Sequence, residues 1–255
     1  MNRISKAFDG KKAFIAFITG GDPDIETTEK LILTMEQAGA DIIEIGIPFS
    51  DPVAEGPIIE AADMRALAGG CTTDKLFGMV KRLRKQTDIP LLFMTYANPI
   101  YKYGKNKFME KCSESGIDGI IVPDVPFEEK DEFKDESNKH DICMISMISP
   151  TSGERTEKIA READGFLYCV SSLGVTGIRN DINTNIEELI RAVKKVSTIP
   201  CAVGFGISTA EQVREMAAIS DGVIIGSAIV NLVAKFGKDI IEPINKFIKD
   251  LKSNM

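Results

Sequence analysis

Short runs rich in β-branched and aromatic residues alternate with stretches of helical period from one end of the chain to the other, and this alternation sets the fold. Strands are expected at 13–19, 40–47, 91–96, 119–122, 142–148, 166–170, 201–203 and 223–225. Helices are expected at 25–38, 58–67, 73–87, near 108–115, and at 128–139, 154–162, 186–196, 210–218 and 240–251. Eight strands alternating with at least eight helices predict an α/β fold, a single (β/α)8 TIM barrel, with residues 1–255 as one domain. An open doubly wound sheet is the structural alternative. No linker or shift of composition marks a second domain, and 255 residues suit one barrel.

Charge and rare residues narrow the chemistry. A net charge of −7 argues against a nucleic-acid or anionic-membrane partner. No run of about 18 apolar residues occurs, and the N-terminus lacks a long apolar segment, so a soluble cytoplasmic protein is expected. The five cysteines, Cys71, Cys112, Cys143, Cys169 and Cys201, include no C-x-x-C pair and read as reduced, buried thiols. With His140 as the one histidine, Ser-His-Asp chemistry and histidine-rich metal sites are excluded.

One stretch stands out: I-I-E-I-G-I-P-F-S-D-P-V-A-E-G-P, residues 42–57. Alternation places Ile43 and Ile45 on one face of a strand and Glu44 with Ile42 on the other. Glu44 is the one charge in the apolar run. A carboxyl held among isoleucines is desolvated, and its pKa rises toward the range useful for acid–base work. The other reading of Glu44 is a strand-end carboxylate capped by a backbone amide. The strand breaks at Gly46 and Pro48 into a loop that carries Asp51 and Glu55.

In a barrel, active residues sit at strand C-termini, and phosphate commonly binds after strands 7 and 8. Those two ends read G-F-G-I-S (204–208) and G-S-A-I-V (226–230), where glycine exposes backbone N–H groups and Ser227 can open a one-turn helix aimed at an anion. Tight turns that need glycine for geometry alone are the alternative. Residues 171–185 lack periodicity, and Gly174 and Gly177 within them suit a lid that strips water from Glu44; plain disorder is the alternative. Tyr168, near a strand end, can face the barrel mouth. These readings reach a metal-free barrel enzyme doing acid–base chemistry on a phosphorylated substrate.

Seven stretches go further. I-E-I-G-I-P-F-S-D-P-V-A-E-G-P (43–57) resembles the signature of the tryptophan synthase alpha chain. F-I-T-G-G-D-P (17–23), Y-A-N-P (96–99), V-P-D-V-P (122–126), S-S-L-G-V-T-G (171–177), G-F-G-I-S and I-I-G-S-A-I-V (224–230) fall in the order that family implies. The resemblance implies retro-aldol cleavage of indole-3-glycerol phosphate to indole and glyceraldehyde 3-phosphate, with no metal and no cofactor. It implies Glu44 as the acid–base, and Glu55 as the second carboxylate, which accepts the indole N–H. Tyr168 would stand near the reacting carbons. Thr176 would bond to that second carboxylate on lid closure, and Gly177, Gly206, Gly226 and Ser227 would cradle the phosphate. Phe17, Ile59 and Met94 would line the indole pocket.

The family's second carboxylate is usually aspartate, so Glu55 departs from the pattern by one methylene. The implied partner is a pyridoxal-phosphate beta subunit in an alpha2-beta2 assembly, met near 51–53 and 96–101. A free-standing lyase of the same family, and a non-catalytic ligand sensor marked by Glu55, are the competing readings.

Overall fold

The computed structural model describes residues 2–170, 179–204 and 206–255, the side chains of 179–185 excepted. Its strands are β1 (Ala13–Thr19), β2 (Ile42–Gly46), β3 (Leu91–Met94), β4 (Gly119–Ile121), β5 (Cys143–Met144), β6 (Ser146–Ile148), β7 (Leu167–Val170), β8 (Cys201–Gly204) and β9 (Gly222–Ile225). All pairings are parallel, and the order runs β5-β4-β3-β2-β1-β9-β8-β7-β6. The two outermost strands, β5 and β6, are joined in the chain by Ile145, whose N–H still donates to the Ile120 carbonyl at 2.9 Å. The expected strand at 142–148 is thus broken at one residue, and the sheet closes through that break. This is the (β/α)8 TIM barrel, with the fifth barrel strand in two pieces.

Side-chain alternation divides the core in two. Ile43, Ile45, Leu91, Phe93, Cys169 and Val203 point outward to the helices. Ala13, Ile15, Ile42, Leu92, Ile121, Tyr168 and Ala202 fill the barrel. The N-terminal mouth is plugged by a helix with no periodic signature, α1 (Arg3–Ala7), whose Ile4 and Ala7 join the inner core. Asn2 caps it by accepting from the Ser5 N–H at 2.8 Å.

The outer layer comprises α2 (Ile25–Ala38), α3 (Pro57–Ala68), α4 (Thr73–Leu83), α5 (Ala97–Tyr103), α6 (Lys105–Ser115), α7 (Asp131–Lys139), α8 (Arg155–Glu162), α9 (Arg179–Lys194), α10 (Ala210–Ile219), α11 (Ser227–Phe236) and α12 (Ile241–Lys252). Three differ from expectation. Helix α5 was not expected, and it forms across A-N-P because proline is tolerated in the first turn, where no N–H is needed. Helix α11 runs ten residues rather than one turn, with Ile229, Val230 and Val233 buried. Helix α9 starts at Arg179, not Ile186, so the expected lid is helical over its second half. Residues 171–178 lie outside the described residues. Among the described residues, no helix is long and apolar enough to cross a membrane.

Candidate active site

Strand β2 places Glu44 inside the barrel one layer above Ile42, in register with Phe17 of β1 and Leu92 of β3. The Glu44 side chain is fully buried, and neither carboxylate oxygen has a hydrogen-bond partner among the described residues. No backbone amide among the described residues caps it, which argues against the alternative reading. Burial pushes its pKa from 4.5 up to about 8, so at neutral pH the group holds its proton. A buried, unpartnered carboxyl costs stability, and such costs persist where function needs them.

Two aromatic rings flank this carboxyl, and two glycines make room for them. A Cβ on Gly46 would lie 2.8 Å from the Phe17 ring, and one on Gly204 would lie 2.7 Å from Tyr168 Oη. Tyr168 projects inward from β7, buried, and its hydroxyl is held protonated far above the usual range, first by burial and then by the charge of Glu44. Phe17, Ile59 and Met94 meet in one apolar cluster beside the carboxyl. Ala62 of α3 and Val230 of α11 complete that cluster, and the sequence reading missed both. Ala62 follows Ile59 at helical spacing, a signal that was present but unremarkable.

The two glycine-bearing ends, after β8 and β9, differ in how their helices are capped. After β8, Ser208 and Thr209 N–H both donate to Gln212 Oε1, and the Thr209 hydroxyl accepts from the Gln212 N–H. Helix α10 therefore satisfies its own first turn. Helix α11 does not: Gly226 caps it with no side-chain bond, and Ser227 stands exposed at its first position. A ten-residue helix with an uncapped N-terminus at a barrel mouth offers amide N–H groups and a positive dipole end to an anion. Gly206 has φ of 75° with open space around its Cα, so a backbone turn there faces the same mouth without a side chain. Thr176 and Gly177 lie outside the described residues.

Glu55 sits in the β2–α3 loop, half-buried, beside Asp63 of α3 and Tyr96 at the end of β3. Burial raises its pKa, while the neighbouring Asp63 and Tyr96 groups act to lower it. The loop is tied at two points: Phe49 N–H donates to Asp63 Oδ2 at 3.3 Å, and Ala54 N–H donates to Tyr96 Oη at 3.2 Å. The Phe49 and Tyr96 rings lie 5.5 Å apart. Asp63 and Tyr96 were invisible as site residues in the sequence, because their link to Glu55 crosses from one element to another. Tyr96 is 2 % exposed, so it is not part of the surface expected at 96–101. Val53, Ile58, Met64 and Tyr101 are the large hydrophobic residues exposed on this side, between 39 % and 77 %.

The profile of the family "Tryptophan synthase alpha chain" matches residues 5–254. The tryptophan synthase alpha chain of Lacticaseibacillus casei is 46 % identical, over 99 % of this chain and 95 % of that one. That of Caldanaerobacter subterraneus subsp. tengcongensis is 45 % identical over 99 % of both. Among solved structures, tryptophan synthase subunit alpha from Legionella pneumophila str. Paris superposes with a TM-score of 0.90 at 36 % identity, covering 100 % of this chain and 98 % of that one. A chain of the tryptophan synthase a2b2 complex from Pyrococcus furiosus superposes with a TM-score of 0.88 at 35 % identity, covering 95 % and 99 %. With a match of that length in sequence and fold, and with the carboxyl, rings and uncapped helix in place at one barrel mouth, this chain belongs to the tryptophan synthase alpha chain family.

Proposed function

We propose that this chain cleaves indole-3-glycerol phosphate to indole and glyceraldehyde 3-phosphate, and works in the cytoplasm as the alpha subunit of tryptophan synthase, in one domain. The observation that carries the mechanism is the neutral Glu44 carboxyl, buried and without a hydrogen-bond partner among the described residues, in register with Phe17 and near Tyr168. The reaction needs one proton delivered to the indole carbon that bears the side chain and one removed from the adjacent hydroxyl. A single carboxyl that starts protonated can do both in turn. Glu44 protonates the ring carbon, and positive charge moves to the ring nitrogen. Glu55 accepts the indole N–H and stabilises that charge.

The Glu44 carboxylate so formed is desolvated by its burial in the barrel, which makes it a stronger base than an exposed one. It takes the hydroxyl proton, the carbon–carbon bond breaks, and its electrons return to the ring as the aldehyde forms. Protons balance, and Glu44 ends as it began. Tyr168, neutral throughout, packs against the reacting carbons. Phe17, Ile59 and Met94 hold the indole ring, with Ala62 and Val230 behind them. The phosphate docks on Gly206, Gly226 and Ser227, with Thr176 and Gly177 supplying the lid side. Anchoring the substrate far from the scissile bond supplies position rather than chemistry.

The partner is a beta subunit, which receives the indole. The exposed Val53, Ile58, Met64 and Tyr101 lie on the mouth side and suit a covered surface. Solved relatives assembled as a2b2 complexes support this reading. Glu44→Gln tests the mechanism: indole release should fall by at least about 10²-fold, while calorimetric binding of glyceraldehyde 3-phosphate stays near the parent value. Equal losses in release and in binding would remove Glu44 from its role.

A further inference from the structure

We propose that Asp63 is a positioning residue for the cleavage: its neutral carboxyl donates a hydrogen bond to the Glu55 carboxylate and fixes that carboxylate as the acceptor of the indole N–H. The proposal rests on the assignment of Glu55 to the ring nitrogen. Its own foundation is the polar cluster that ties the β2–α3 loop to the barrel.

Asp63 lies on α3 one turn beyond Ile59, on the helix face turned to the barrel, and is 2 % exposed. One of its oxygens accepts the Phe49 N–H, which leaves the other side of the carboxyl toward Glu55. The Tyr96 hydroxyl, which accepts the Ala54 N–H, also borders Glu55. Two carboxyl groups in contact and away from water cannot both ionise, so the pair keeps one proton. The groups facing the pair act in both directions: the Phe49 N–H and the Thr19 hydroxyl favour an ionised Asp63, and burial with the charge of Glu55 outweighs them. Glu60 adds negative charge beside Glu55, the Thr19 hydroxyl and the Cys71 thiol border Asp63, and Tyr96 stays neutral. Arg65, on the same helix, is committed to Asp22 through contacts of 2.9 and 2.7 Å.

Which carboxyl keeps the proton follows from depth. Asp63 is buried and Glu55 half-buried, and burial followed by the charge of Glu55 pushes Asp63 up to about 8. Glu55 is then the anion, as the developing positive charge on the ring requires. Asp63 supplies the donor that keeps it from swinging into solvent on an otherwise exposed loop, where Ala54 and Gly56 flank it on the surface.

Two readouts test this on the full chain, with the beta subunit present for kinetics. Infrared spectra of the substrate-free protein in a Glu44→Gln background should show a neutral-carboxyl absorption near pH 7 that disappears on adding Asp63→Asn. In the Glu44 protein, Asp63→Asn keeps both an acceptor for Phe49 and a donor for Glu55, so kcat should stay within about threefold. Asp63→Ala loses both, and kcat should fall by at least about tenfold while KM moves less, since the phosphate anchor is untouched. Asp63→Asn should also reduce the alkaline fall of kcat from two protons to one.

An infrared spectrum unchanged by Asp63→Asn overturns the shared proton. Equal kcat in the aspartate, asparagine and alanine forms overturns the positioning role. If Glu55→Gln leaves kcat intact while the infrared band still depends on Asp63, the assignment of Glu55 has failed and the carboxyl pair has not.

Discussion

Glu44→Gln should stabilise the fold, and the gain should grow with pH. Burial alone lifts this carboxyl from 4.5 to about 8, with no hydrogen bond among the described residues to offset it. A folded-state pKa above the unfolded value means that the group's contribution is fully favourable below 4.5 and is lost as pH rises through about 8. At about pH 5 the unfolded chain gains just under about 1 kcal/mol by ionising this group, and at about pH 8 it gains about 4 kcal/mol, using about 1.36 kcal/mol per pH unit.

Glutamine has nearly the same shape and cannot ionise. The variant should therefore gain about 3 kcal/mol over the parent between about pH 5 and about pH 8. The unpartnered amide carries its own burial cost, but that cost is the same at both pH values and cancels from the difference. Urea unfolding of both proteins at the two pH values measures it. A stability difference that stays flat to within about 1 kcal/mol would refute the claim that Glu44 is buried as a neutral acid.

Ser227→Asp places a carboxylate at the first position of α11, which favours the helix dipole but repels a phosphate. KM for indole-3-glycerol phosphate should rise by about tenfold or more with no loss of melting temperature, as read from steady-state kinetics and thermal scans. Gly204→Ala puts a methyl 2.7 Å from Tyr168 Oη and 2.9 Å from its ring, so the ring must move away from Glu44. kcat should fall by about tenfold or more, with KM changed less, because the phosphate end of the site is unaffected.

Much of the barrel was legible because its strands are buried and bounded by glycine and proline. The pattern A-F-I-A-F-I-T gave β1 to the residue, and the lone charge of I-I-E-I-G singled out Glu44 on the strand face opposite Ile43 and Ile45. Where the reading missed, a local pattern was absent or ambiguous. Helix α1 is five residues long and carries no period. Helix α11 follows β9 in an almost unbroken apolar run, which hides where strand becomes helix. The break at Ile145 is a consequence of closing the sheet and leaves no mark in I-C-M-I-S-M-I.

The aromatic and glycine residues proposed for the site were singled out from strand ends and motifs. Why Gly46 and Gly204 must be glycine was not: each yields to a ring on a different strand. Asp63 lay beyond reach for the same reason. In P-I-I-E-A-A-D-M-R it looks like one more helix acid, and only the packing of α3 against the β2–α3 loop brings it to Glu55.

The most direct measurement is indole release from indole-3-glycerol phosphate by the purified chain, alone and with a beta subunit. Slow release that rises by at least about tenfold in the complex is the predicted result. No release in either condition, with the phosphorylated ligand still bound, would contradict the account and leave Glu55 as the mark of a subunit that senses its ligand without cleaving it.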